Sequence, residues 1–125
     1  MARRSDYTRE ELVEMAIAAG QKIIAEQGFS GFSARKVAKA IGYTIGTIYN
    51  IFESHNNFIL HINAVTLRDI AYFLEEKAIG KNESAIKQLA EAYTQFAKNN
   101  YNRWSALFEH RLPEGIPPQS GITLR

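Results

Sequence analysis

The chain has 125 residues, of which 46% are apolar and 22% charged, with a net charge of +2. That suits one compact domain, or a small domain plus part of another, of ordinary globular composition. Cysteine is absent, which excludes disulfides, thiolate metal sites and a cysteine nucleophile. No apolar run approaches the ~20 residues of a membrane span, and the polar N-terminus lacks the apolar segment of a signal peptide. A cytoplasmic location is the expectation.

The first predicted helix opens at Thr8-Arg9-Glu10-Glu11, a capping box in which Thr8 takes an orphan amide and Glu11 reaches back. Leu12, Met15, Ala16, Ala19 and Ile23 follow at helical spacing. Gly20 costs this helix about 1 kcal/mol relative to alanine, and suits a close helix contact. Gly28 is expected to end it as a left-handed cap. In the "GFSGFS" loop, Phe29 and Phe32 are expected to plug the core.

Ser33 caps a second predicted helix running to Ile41, with Val37, Ala38 and Ile41 inward, and Gly42 stops it. Thr44 caps a third, Ile45 to Phe52, with Ile48 and Phe52 inward. A fourth is expected from near Ser54 to Gly80, with Phe58, Ile62, Val65, Asp69 and Tyr72 along one face. After the "GKNES" break comes a fifth, from Glu83 to Asn99, with Ile86, Leu89, Ala90, Tyr93, Phe96 and Ala97 as its stripe. "NNYN" breaks again, and Trp104, Leu107 and Phe108 indicate a short sixth helix. Residues 113–125, with three prolines and no helical period, read as an irregular tail. The fold class is all-α.

Charge is unevenly placed. Residues 33–52 carry Arg35, Lys36 and Lys39 and no acid, whereas residues 5–32 carry five acids against Arg9 and Lys22. This is either one face built for a polyanion or a pair of solvated helix faces. The short helices around Gly42 have the form of a helix-turn-helix, whose second helix enters the DNA major groove. Ile45–Phe52 suits that role. Thr47, Tyr49 and Asn50 are expected to face outward, and Gly46 admits close backbone approach. Asn pairs bidentately with adenine, hydroxyls suit phosphates, and Arg35 can reach a guanine edge or a phosphate. The plainer alternative is a helical hairpin inside any small bundle. Ile45 and Ile51, read as exposed, favour a contact surface.

The run "IIAEQGFSGFSARKVAKAIGYTIGTIYNIFESHNNFI" resembles the DNA-binding domain of the tetracycline-repressor (TetR) family of transcription regulators. The shared features are Gly28-Phe29 before a small loop, the Ser33 cap, Val37-Ala38 with Gly42, and Gly46-Thr47-Ile48-Tyr49 with Phe52. The resemblance covers about residues 8–60. It implies that Arg35, Ile45, Gly46, Thr47, Tyr49 and Asn50 face DNA, with Thr47 and Tyr49 on phosphates and Ile51 at an edge that reaches bases. The family usually has Val or Ile where Tyr43 stands, and a phosphate-binding Lys where His55 stands. A neutral imidazole supplies one hydrogen bond, and full charge only below a pKa near ~6.5.

The resemblance also divides the chain into a DNA-binding domain, residues 1–53, a partial regulatory domain, residues 54–112, and the tail. It implies a repressor that binds a palindromic operator and is released by a small-molecule effector. The aromatic set Tyr72, Tyr93, Phe96, Trp104 and Phe108 is then an effector-pocket lining, or otherwise simply core. The helices that form the family's dimer interface have no counterpart in the Pro-rich ending, so self-association is expected through the uncovered faces of the fifth and sixth helices. The alternative function is a helical ligand-binding or interaction protein with little operator binding. His55 and His61 lie six residues apart and point about 120° apart on a helix, so they cannot share a metal. No metal, cofactor or catalytic activity is expected.

Overall fold

The computed structural model describes residues 7–77 and 83–110. Among them are six helices and no strand: α1 Arg9–Gln27, α2 Ala34–Ile41, α3 Ile45–Phe52, α4 His55–Lys77, α5 Glu83–Asn99 and α6 Tyr101–Glu109, with a 3₁₀ turn at Phe29–Gly31. The expected end of the fourth helix near Gly80 and the expected irregular tail lie outside the described residues.

Local chemistry sets most boundaries. The Thr8 hydroxyl accepts from Glu11 N at 3.0 Å and the Glu11 carboxylate accepts from Thr8 N at 2.9 Å, which closes the capping box. Ser33 Oγ accepts from Lys36 N at 3.1 Å to start α2, and Ser54 Oγ accepts from Asn57 N at 3.0 Å to start α4. Gly28 does carry a positive φ, but with ψ 168° it is extended on that side of the map rather than a left-handed helical cap. Only a single residue, Asn100, separates α5 from α6, and its amide NH₂ and N–H both donate to Phe96 O.

The core joins Ala16, Ile23 and Ile24 of α1, Ala34, Val37 and Ala38 of α2, Ile48, Ile51 and Phe52 of α3, Phe58 and Ile62 of α4, and Ala106 of α6. Phe29 and Phe32 pack against it as expected, with Phe32 6.2 Å from Phe29 and 5.9 Å from Phe58. The cluster crosses the expected boundary at residue 53, because the first turns of α4 and the middle of α6 close the bundle.

Two predicted faces are rotated. On α4 the buried positions are Phe58, Ile59, Ile62, Asn63, Thr66 and Ile70, while Tyr72 is exposed. Polar residues hold the inward line there: Gln21 Nε2 donates to Ile62 O at 2.7 Å and to Thr66 Oγ1 at 3.1 Å, so Thr66 is buried with its hydroxyl satisfied. On α5 the buried side chains are Ala85, Ala92 and Phe96, whereas Ile86, Leu89 and Tyr93 are exposed. Ala85 and Ala92 let α5 lie close to α4 and Phe96 packs on Phe73, while Ile86, Leu89 and Tyr93 are left outside.

A polar seam completes the packing. Arg103 of α6 donates from Nε to Gln21 Oε1 at 2.5 Å and pairs with Asp69 Oδ2 at 2.6 Å. One guanidinium thus bonds to both α1 and α4.

Candidate nucleic-acid interface

The turn between α2 and α3 depends on glycine. Gly42 sits at φ 83°, ψ 26°, its N–H donating to Lys39 O, while Tyr43 N donates to Ala38 O at 2.9 Å. That pair of bonds is a Schellman ending, which needs a left-handed residue at this point. Tyr43 is buried, so the larger ring that departs from the family pattern is housed inside. Thr44 then caps α3: its Oγ1 accepts from Thr47 N at 3.4 Å and lies 3.3 Å from Thr47 Oγ1.

With Ile48, Ile51 and Phe52 anchored in the core, α3 has one outward face. Gly46, Tyr49 and Asn50 are exposed on it, followed by Glu53, at the spacing i, i+3, i+4, i+7. Thr47 and Ile45 are half-buried at its margins. The expectation for Ile51 needs correction: its side chain is 9% exposed and belongs to the core cluster, so it presents no surface for base contact. Ile45 likewise packs against the core. An apolar residue on a short amphipathic helix goes to whichever flank the neighbouring helices cover, and here α3 is covered on both flanks.

The three cations of residues 33–52 are not equivalent. Lys36 Nζ donates to Gln27 Oε1 at 2.7 Å and Gly31 O at 2.6 Å, turning back to hold the loop before α2. Arg35 and Lys39, four residues apart on the same side of α2, are exposed with no hydrogen bond or ion pair among the described residues. His55 is exposed at the first position of α4, its ring 6.3 Å from Phe32.

Some site-shaping residues were not singled out from the sequence. Arg9, inside an acidic stretch, donates from NH2 to Ile51 O at 3.1 Å across 42 residues of chain. Asn57 Nδ2 donates to Phe52 O at 2.8 Å. Asn57 occupies the third position of a Ser-capped helix, where Glu or Gln would close a capping box, and that substitution is a readable signal. Arg9 has no such local sign. Beside this corner His110 Nε2 lies 3.0 Å from Asn56 Oδ1, and its ring is 6.2 Å from Phe29. Burial, and then the neighbouring His55, hold the His110 imidazole below its ordinary pKa of 6.5. Among the described residues no group of three His, Asp or Glu side chains is placed to hold a metal ion.

The five aromatics expected to line a pocket do not surround one space. Phe96 is buried, 5.8 Å from Phe73. Trp104 Nε1 donates to Tyr93 Oη at 2.8 Å, and the Trp104 ring meets Phe108 edge-on at 5.2 Å. Phe108 and Tyr72 are exposed, and Tyr72 makes no ring contact with the others among the described residues. A groove of about 480 Å³ runs along Ala90, Glu91, Thr94, Gln95, Lys98 and Asn99, and none of the five lines it.

Comparison with known proteins bears on this geometry. Residues 16–62, from within α1 to the second turn of α4, match the family model of bacterial regulatory proteins of the tetR family. No curated protein matches the chain significantly. No helix among the described residues is long and apolar enough to cross a membrane. The stretch that builds the helix-turn-helix is thus similar to the N-terminal DNA-binding domain of tetR-family transcription regulators.

Proposed function

We propose that this tetR-family DNA-binding domain reads a palindromic operator through the outer face of α3, and that the chain acts as a repressor released by a small-molecule effector. The observation that carries the reading is the α3 face itself. Gly46, Tyr49 and Asn50 stand clear of the core on one side of a capped helix, with no acid before Glu53. Asn50 would pair with a base edge, and Tyr49 and Thr47 would donate to phosphates. Arg35, unpaired among the described residues, would add a phosphate or guanine contact, and His55 a weaker one at the start of α4. Two copies set about 34–36 Å apart would occupy successive major grooves and block a promoter.

In this reading residues 1–53 read DNA and residues 54–112 regulate. The seam of Gln21, Arg103 and Asp69 supports coupling between the two parts, since α6 cannot move without disturbing bonds to α1 and α4. Asn63 of α4 supports a ligand in the regulatory part: it is 7% exposed, and its Oδ1 has no hydrogen-bond donor among the described residues. A single helix-turn-helix reads only one half-site, so a second copy is required. The stripe of Ile86, Leu89 and Tyr93 with Tyr101 and Phe108 of α6 supplies exposed apolar surface for it. That same stripe favours the second reading, an interaction protein whose association does not align two recognition helices.

Titration of duplexes enriched by the protein from a randomised palindromic pool, at several protein concentrations, separates the readings. The Asn50→Ala variant is expected to lose about 1–3 kcal/mol at one base pair of each half-site and nothing elsewhere. Tyr49→Phe is expected to weaken every duplex alike. Unchanged discrimination by Asn50→Ala would overturn the assignment of α3 to the groove, and binding without a second copy would remove the dimer.

A further inference from the structure

We propose that Arg9 is a positioning residue for α3, fixing the angle at which Tyr49 and Asn50 are presented and thereby the sequence preference of the domain. The proposal rests on the DNA-reading role of α3. An eight-residue helix has few internal hydrogen bonds, and the carbonyls of its last turn need donors from elsewhere. Three are supplied at this end. Glu53 N donates to Tyr49 O at 2.7 Å, Arg9 NH2 to Ile51 O at 3.1 Å and Asn57 Nδ2 to Phe52 O at 2.8 Å. The donors come from the α3–α4 corner, from α1 and from α4, so the end of α3 is tied to both helices that flank it.

The arginine contributes something the other two do not. The last turn of α3 contains no basic residue, and the Arg9 guanidinium brings a positive charge to the negative end of its dipole. Arg9 is the exposed first residue of α1, its backbone placed by the closed Thr8–Glu11 box. The chain leaves α3 through Glu53 at φ 76°, ψ −33°, a conformation that L-residues rarely adopt and that persists only where its surroundings impose it. A bent exit under strain, pinned from α1, gives the helix one setting. Base readout needs side chains held within roughly 0.5 Å of the productive geometry, whereas phosphate contacts tolerate more. Loss of the pin is therefore expected to blur preference before it lowers general affinity.

A direct phosphate contact by Arg9 is the competing account, and the ionic-strength dependence separates the two. The test compares the wild-type chain with Arg9→Gln on three probes: the duplex enriched by wild type from a randomised palindromic pool, its single-base variants, and an unrelated duplex of equal length. For Arg9→Gln, the ratio between the enriched duplex and its variants is expected to fall about fivefold, toward the level of a lost base contact. Affinity for the unrelated duplex and the slope of affinity against salt are expected to stay at wild-type values. A salt slope lower by about 0.9, with every duplex weakened alike, would make Arg9 a phosphate ligand and overturn the proposal. Unaltered discrimination would overturn it as well.

A second measurement needs no DNA. Hydrogen exchange of the Glu53 amide is expected to accelerate about tenfold in Arg9→Gln through local opening, while the Tyr43 amide in the α2–α3 turn keeps its rate. Equal Glu53 rates in the two proteins would refute the pin itself. If wild type enriches no duplex, the DNA-reading role of α3 fails, and the exchange rates alone decide whether Arg9 holds the helix.

Discussion

Gly46 has room for a side chain. A Cβ built there would meet only Thr44 Oγ1, at 3.7 Å, an ordinary van der Waals distance. Nothing inside the protein demands glycine at this position, and alanine in a helix is favoured by up to about 1 kcal/mol. What glycine preserves is bare backbone on the exposed face beside Tyr49 and Asn50. Gly46→Ala is therefore expected to raise the thermal midpoint slightly while weakening operator binding at least tenfold; a variant that gains stability and keeps full affinity would separate α3 from the groove. Gly42 is the opposite case. It also has open space around its Cβ position, but its φ of +83° makes any L-residue strained there. The two glycines look alike in the sequence, and their backbone angles tell them apart.

At the scale of elements, the contact between α1 and α4 shows how far periodicity carries. The expectation that Gly20 marks a close approach holds, and its partner is Ile62, whose Cδ1 would lie 2.6 Å from an added Cβ. Ile62 is 1% exposed and has little space in which to yield. Overpacking of this kind costs about 1–3 kcal/mol, against roughly 1 kcal/mol of helix propensity gained. Gly20→Ala is expected to be destabilising by about 1 kcal/mol. Adding Ile62→Val removes the clashing methyl, so the pair should recover at least 0.5 kcal/mol beyond additivity, about the lower limit for residues in contact. Denaturant unfolding of the four proteins in the cycle measures that coupling, and strict additivity would show that the helices simply move apart. The faces of α4 and α5 were less legible. Counting apolar residues favoured Tyr72 and Ile86, yet burial went to Thr66 and to Ala85 and Ala92. Close helix packing rewards small side chains and satisfied hydroxyls, which a hydrophobic stripe does not register.

For the molecule as a whole, the corner formed by α4, the 3₁₀ turn and the end of α6 sets a pH dependence. His110 follows α6, with its ring against Phe29 and its Nε2 on Asn56 Oδ1, and its pKa is held below 6.5 chiefly by burial and secondarily by His55. The folded protein therefore favours the neutral ring. The unfolded chain takes up the proton near pH 6.5, so it binds more protons than the folded chain just below that value. The contribution of neutral His110 is complete above about pH 6.5 and is lost as pH falls through that value toward the lower folded pKa. The urea midpoint is expected to drop between pH 7.5 and 5.5. His110→Gln, which keeps a donor for Asn56 without a titrating ring, is expected to flatten the drop, and parallel pH profiles for the two proteins would count against it.

The sequence by itself determined where the described helices start, the Thr8, Ser33 and Thr44 caps, the Gly42 turn and, of the outward set Thr47, Tyr49 and Asn50, the two that are exposed, Tyr49 and Asn50. Each of these depends on neighbours within about four residues, where backbone hydrogen bonding and side-chain spacing decide the outcome. Tertiary structure alone decided that Ile51 is core, that Lys36 turns back onto its own loop, that Arg9 bonds to the end of α3 from 42 residues away, and that Phe96 is buried against Phe73 while Tyr93, Trp104 and Phe108 meet apart from it. Those outcomes depend on which helix flank another helix covers and on which carbonyl lacks a donor. Both are properties of assembled helices, and no window of sequence contains them.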